Sequence, residues 1–192
     1  MLPEPIAATI SVTATLEKLG VRYLICGSLA STVHGLVRTT QDSDIVTELR
    51  PEHIQPFVRA LEGEFYVDEE SIASAVALHT SFNIIHRESM FKVDIFIPPI
   101  SPFVREQLTR ARRQVLAVKP QVDALVATAE DTLLAKLEWY RQGGEVSERQ
   151  WRDVLGIMKV QEGNLDLVYL HRWAKELKVS DLLERALTEA SA

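Results

Sequence analysis

Between Ile6 and Leu19 apolar side chains recur at helical spacing, and the run stops at Gly20, which predicts an introductory helix. The uninterrupted apolar stretch Tyr23-Leu24-Ile25-Cys26 follows at once and reads as a buried strand. The small pair Gly27-Ser28 then starts a short helix, predicted over Leu29 to Val33, whose first amide groups are free to meet an anion. It closes near His34-Gly35, where glycine can take the left-handed conformation that ends a helix, and His34 reads as a helix-end side chain serving local hydrogen bonding rather than as a catalytic group. A second strand begins with Asp42 and Asp44, which occupy alternate positions and therefore share one face.

Further along, Pro51 to Leu61 predicts a helix on the surface of a sheet, and Glu64 to Val67 a short strand. Thr80 to His86 and Phe91 to Ile97 predict neighbouring strands joined by the polar turn Arg87-Glu88-Ser89 and ended by Pro98-Pro99. In the latter strand Phe91, Val93, Ile95 and Ile97 face one way while Lys92, Asp94 and Phe96 face the other, so an acid interrupts a strongly strand-like run.

From residue 129 the pattern turns helical. Thr128 caps a helix reaching Gln142, Gly143-Gly144 breaks it, and Ser147 with Gln150 forms a capping box for the next, whose Trp151, Val154, Leu155 and Met158 line one face. Asn164 and Ser180 are expected caps for two more helices. The predicted architecture is a mixed α/β core over residues 1–128, a sheet flanked by helices, followed by a C-terminal helical region over 129–192 packed on that core.

At 192 residues and 46% hydrophobic content the chain can bury one full core. No apolar run approaches the length of a bilayer span, and Met1-Leu2-Pro3-Glu4-Pro5 lacks the basic start of a secretory signal, so no membrane role and a cytoplasmic location are expected. The single cysteine, Cys26, excludes an internal disulfide and a cysteine cluster for zinc, and its apolar surroundings suggest a core thiol. A formal charge of −6 argues against coating nucleic acid by bulk electrostatics. Arg105, Arg110, Arg112 and Arg113 fall close together and could meet a phosphate or an RNA backbone, although a solvated helix end is the favoured reading.

The carboxylates carry the candidate chemistry. Two acids on one strand face, joined by a third from an adjacent strand, repel one another unless a cation stands among them, and magnesium with its hard oxygen ligands suits that place. Side chains two apart on a strand are about 6.5–7 Å apart at the backbone, and two-metal sites hold their ions roughly 3.5–4 Å apart, so Asp42 and Asp44 can converge on such ions with Asp94 as the third ligand.

Taken in order, the strand, Gly27-Ser28, the helix, the Asp42-Ser43-Asp44 strand and Asp94 in a later apolar strand resemble the DNA polymerase beta-like nucleotidyltransferase superfamily. Its signature is an apolar residue, Gly, Gly or Ser, a spacer, and Asp-x-Asp or Asp-x-Glu. Within it, His34-Gly35-Leu36-Val37-Arg38-Thr39-Thr40-Gln41-Asp42-Ser43-Asp44 is similar to minimal bacterial nucleotidyltransferases, including those of abortive-infection toxin systems. The likeness covers residues 21–97 and continues more loosely into the helices. Ser28 stands where the toxin relatives commonly have a second glycine, and Ser43 where an apolar residue is usual.

The resemblance implies that Gly27 allows close approach of a nucleoside triphosphate, Ser28 binds its terminal phosphates, and Arg38 neutralises phosphate charge or pairs with a surface carboxylate. It implies two magnesium ions on Asp42, Asp44 and Asp94, with Asp94 also helping to deprotonate the acceptor. A later-helix lysine and an Arg-Asp pair correspond to Lys136 and to Arg152-Asp153, with Lys136 touching the triphosphate and Asp153 supporting the reacting groups; alternatively they form an ion pair on the helix surface. The expected activity is transfer of a nucleoside monophosphate from a nucleoside triphosphate to an acceptor hydroxyl on protein, RNA or a small molecule, toxin-like and opposed by an antitoxin-like protein partner. A lapsed binding or interaction module of the same fold is the alternative, although clustered like charge has no purpose in a purely structural site. A metal-dependent phosphohydrolase would also use clustered aspartates, but explains the Gly-Ser helix start less well.

Overall fold

Helix α1, Glu4–Lys18, has proline in its first turn, Glu4 at its positive end and Lys18 at its negative end, each favoured by the alignment of its peptide dipoles. It stops because Gly20 takes φ +68°, which lets the Val21 amide return to the Leu16 carbonyl at 2.9 Å. Ala8, Val12 and Leu16 form its buried stripe. The structure is a computed structural model and describes residues 2–36, 40 and 42–191. The chain divides into two compact units, Met1–Leu29 with Thr39–Val126, and Ala30–Arg38 with Ala127–Ala192.

The first unit holds a seven-stranded mixed sheet. Its strands are β1 (Tyr23–Cys26), β2 (Asp42–Thr47), β3 (Phe65–Tyr66), β4 (Ser81–His86), β5 (Lys92–Phe96), β6 (Arg112–Val118) and β7 (Gln121–Val126), in the order β3-β4-β5-β2-β1-β7-β6. β1 pairs antiparallel with β2 and parallel with β7, and β5 lies parallel to β2. Matched register carries one apolar row across the middle of the sheet: Ile25 opposite Ile45, Ile45 opposite Ile95, and Ile95 opposite Phe82, all buried. With α1 and the sheet, this unit includes α3 (Ile54–Leu61), α4 (Glu69–Leu78) and α5 (Pro102–Arg110).

Several expected elements stand as read, among them β1, β4 and β5, but the stretch between Pro99 and Thr128 is richer than anticipated. The arginines expected at a solvated helix end divide between two elements, Arg105 and Arg110 on α5 and Arg112 and Arg113 on β6. Arg113 is ion-paired to Asp123 at 2.6 Å and to Glu17 at 3.0 Å. The β6–β7 hairpin carries little signal in the sequence because its β6 strand is edge-placed and only partly buried, which erases the clean alternation of a strand with one face in the core.

In the second unit α2 (Gly27–His34) contributes its later turns, followed by α6 (Ala129–Gln142), α7 (Glu148–Val160), α8 (Leu167–Glu176) and α9 (Ser180–Ala190). Thr128 and Ser147 cap α6 and α7 with side-chain acceptors, as their positions predict. α8 is capped by Asp166 rather than Asn164, and at α9 Ser180 is the first helical residue. Leu133, Leu134, Leu137, Val154, Ile157, Leu170 and Leu183 are buried, with Trp151 and Trp173, while Trp139 is exposed. Asp131 is fully buried and accepts the Tyr169 hydroxyl at 2.5 Å, so its charge is met by a short hydrogen bond. Among the described residues no helix is long and apolar enough to cross a membrane.

His34 is buried at the end of α2, where Nε2 donates to the Ala127 carbonyl at 2.6 Å and its own carbonyl accepts from Gln161 at 2.9 Å. Burial holds its pKa below the ordinary histidine value, against the opposing effects of the Ala127 bond and the Glu130 charge. Below about pH 6.5 the unfolded chain takes up a proton at this position before the folded chain does. Stability should therefore fall as pH drops below that value, and denaturant titrations at several pH values should show a smaller fall in His34→Gln. Equal slopes for the two proteins would remove His34 from the pH response.

Candidate functional site

The site is built on the sheet face opposite the apolar row. On β2 the alternation leaves Asp42, Asp44 and Val46 half-buried on one side and Ser43, Ile45 and Thr47 buried on the other. On β5 it does the same with Lys92, Asp94 and Phe96 against Val93 and Ile95. Parallel pairing aligns Asp42 with Lys92 and Asp44 with Asp94. The row extends across two more strands, since Cys26 pairs with Asp44 and Asn83 with Asp94. One face of four adjacent strands thus carries Cys26, Asp44, Asp94 and Asn83 side by side. Cys26 is half-buried, and its thiol donates to the Asp44 carbonyl at 3.5 Å, so it belongs to this edge of the site rather than to the deep core.

Gly27 ends β1 and begins α2 with φ +59°, a conformation that L side chains rarely adopt. A Cβ built on it would lie 1.8 Å from Asp44 Oδ2. Glycine is therefore required twice, once for the backbone turn and once for the space in which the Asp44 carboxylate rests. Ser28 follows in the first turn of α2 and is buried. At the start of β2 the Thr40 hydroxyl lies 2.7 Å from the Asp42 carbonyl and 3.2 Å from its Oδ1, which holds that carboxylate at the strand entrance.

Ser43, between the two acids, is fully buried and hydrogen-bonded to Thr9 of α1 at 3.0 Å, while Thr9 also bonds the Pro5 carbonyl at 2.7 Å. A hydroxyl at this core position is thus satisfied by one from the covering helix.

Lys92 shares this face, and strand alternation showed its side without showing its partner. Its Nζ lies 2.7 Å from Asp94 Oδ2, with the two side chains 43% and 19% exposed. The ammonium is held above the ordinary lysine range, first by the hydrogen bond to Asp94 and further by the charges of Asp94, Asp42 and Asp44, against the opposing cost of desolvation. Among the described residues no three acidic, histidine or cysteine side chains form a group ready to hold a metal ion. The backbone sets the three expected acids on one face, and each has its own neighbour there: Asp44 lies against Gly27, Asp42 is within reach of the Thr40 hydroxyl and Asp94 is bonded to Lys92. The donor set, three carboxylates on one face, fits a hard divalent cation, and the glycine cradle leaves room for the acid nearest the helix.

Lys136 and Asp153 belong to the helical unit, on α6 and α7, where their side chains pair at 2.8 Å with exposures of 11% and 12%. This is a nearly buried ion pair rather than a surface one, and Arg152 beside it is exposed, its Nε 3.4 Å from the Glu148 carbonyl. Arg38, expected to meet phosphate, lies outside the described residues.

No family model matches the chain, and no curated protein matches it. Solved structures do. An antigenic nucleotidyltransferase-like protein from Paracoccidioides brasiliensis superposes with a TM-score of 0.55 at 17% identity, over 96% of this chain and 93% of its own. The antibiotic-resistance factor ANT(2'')-Ia, in complex with adenylyl-2''-tobramycin, gives 0.53 at 10% identity over 97% of this chain and 99% of its own. A solution structure of the same factor gives 0.52 at 11% identity, over 96% and 93%. At such identities the likeness is one of fold: the chain has a mixed α/β nucleotidyltransferase-type fold.

Two substitutions test the geometry. Gly27→Ala should lower stability by about 1–3 kcal/mol, the range for an enforced backbone strain, because both its φ and the Asp44 carboxylate oppose a methyl group; equal unfolding midpoints by circular dichroism would mean that Asp44 rests elsewhere. Lys136→Met removes the ammonium bonded to Asp153 in a nearly dry setting and should cost about 3 kcal/mol in denaturant unfolding, with Asp153→Asn recovering part of the loss in the double variant.

Proposed function

We propose that the protein transfers a nucleoside monophosphate from a nucleoside triphosphate to an acceptor hydroxyl and releases pyrophosphate. One observation carries the proposal: Asp44 and Asp94 stand side by side across β2 and β5, directly beside the glycine that opens α2. A helix start with small residues presents backbone amides and its positive dipole end to phosphate, and aligned carboxylates on the neighbouring strands suit the cation that accompanies a triphosphate. Residues of the sheet unit alone support it.

In this proposal the Gly27 backbone and the Ser28 hydroxyl receive the phosphates, and Asp42, Asp44 and Asp94 would hold magnesium. The ion supplies charge neutralisation of the triphosphate and of the departing pyrophosphate. Asp94 accepts the proton of the acceptor hydroxyl as that oxygen attacks the α-phosphorus. The new oxygen–phosphorus bond forms while the bond from the α-phosphorus to the bridging oxygen breaks, and both of its electrons leave with pyrophosphate. Asn83, next to Asp94 in the row, offers an amide that can orient the acceptor.

A small polyhydroxylated acceptor is the choice we favour, because the overall acidity disfavours long nucleic acid and because one structure of the same fold holds an adenylylated aminoglycoside. The decisive measurement incubates the protein with each of four labelled nucleoside triphosphates and magnesium, with aminoglycoside-type compounds or with cell lysate. Label on a small molecule supports the full proposal. Label on protein or RNA would instead favour a toxin-like modifier with an antitoxin-like partner, free phosphate alone a hydrolase, and binding without turnover a lapsed module. Asp44→Asn should reduce labelling roughly a thousandfold, the scale of losing one electrostatic partner of a transition state, with little change in folding.

A further inference from the structure

The row of acids has an occupant of its own. Lys92 is two residues before Asp94 on the same strand face, paired in register with Asp42 and bonded to Asp94 at 2.7 Å. Its ammonium feels the charges of Asp94, Asp42 and Asp44 together, so it stands where electrostatics favours a cation. Its four-carbon stem is also flexible enough to swing away, since the side chain is 43% exposed.

We propose that Lys92 is an internal counter-cation which closes the acidic face in the absence of a divalent ion and must release Asp94 before Asp94 can serve as a ligand. The inference rests on the metal role proposed above for the three aspartates and adds a competitor to it. An ammonium and a divalent ion cannot share Asp94 cheaply, because both would be brought within a few ångströms of each other. Lysine at this position therefore weakens cation binding to the protein alone. It also offsets the charge of Asp94 where that residue pairs with Asp44 across β2 and β5. Lys92 is thus a positioning residue acting through Asp94.

The test compares the wild type with Lys92→Met and Lys92→Arg as full-length proteins, without nucleotide. Manganese affinity is read by electron paramagnetic resonance, and stability in chelator by denaturant unfolding. Lys92→Met should bind manganese about tenfold more tightly than wild type, the effect of one removed unit charge near a dication, and should unfold more readily in chelator. Lys92→Arg, which keeps the charge, should resemble wild type in both. In a double-mutant cycle, Asp94→Asn should remove most of the stability effect of Lys92→Met. Unchanged or weaker manganese binding in Lys92→Met overturns the proposal, and so does an additive cycle. If manganese binds wild type but not Asp44→Asn while Lys92→Met behaves as wild type, the competitor falls and the metal role stands. If no variant binds manganese, both fall.

Discussion

Like charges gathered on one face of a sheet must be reconciled with pairing of the strands that carry them, and this constraint shapes the chain's first unit. The period of two along β2 and β5 sends every second side chain to the core, so Ile45 and Ile95 can be fully buried while Asp44 and Asp94, one residue earlier on each strand, meet on the other side. The apolar row fixes the register, and the register fixes the acids. A slip of one residue would bury carboxylates and expose isoleucines, so the same alternation that stabilises the sheet also holds the candidate chemistry in place.

Much of this was legible because it depends on local rules. A four-residue apolar run, a Gly-Ser pair and two acids at alternate positions need only strand geometry to be read as strand, helix start and shared face. Asp94 was legible for the same reason, as an acid in a run otherwise fit for the core. The hairpin of β6 and β7 was not, because an edge strand has no second buried face to impose a pattern. Nor was the part of Lys92. Alternation gives the side to which a lysine points, but its bond to a carboxylate two residues away depends on the course of a flexible four-carbon stem, which alternation does not specify.

The helical unit solves a different problem, that of polar groups deprived of water. Asp131 has the Tyr169 hydroxyl, His34 has the Ala127 carbonyl, and Lys136 has Asp153. Each of these groups would be costly alone and is tolerable with its partner. The sequence offered Lys136 and Asp153 both as site residues and as an ion pair, and only their packing reveals that the pair is nearly enclosed. Caps were read well where a hydroxyl preceded a clear amphipathic run, as at Thr128 and Ser147, and less well at α8, where Asp166 stands two residues beyond the expected Asn164.

The connection between β4 and β5 bears on the order in which the chain can assemble. Those two strands are joined by a tight turn, with the His86 amide bonded to the Phe91 carbonyl at 2.9 Å, so they close as a hairpin through pairings near in sequence. β2 receives that hairpin only by a more distant encounter. Asp94 has Lys92 beside it on its own strand, so the pairing of β5 with β2 sets a bonded acid next to Asp44 without help from a third strand.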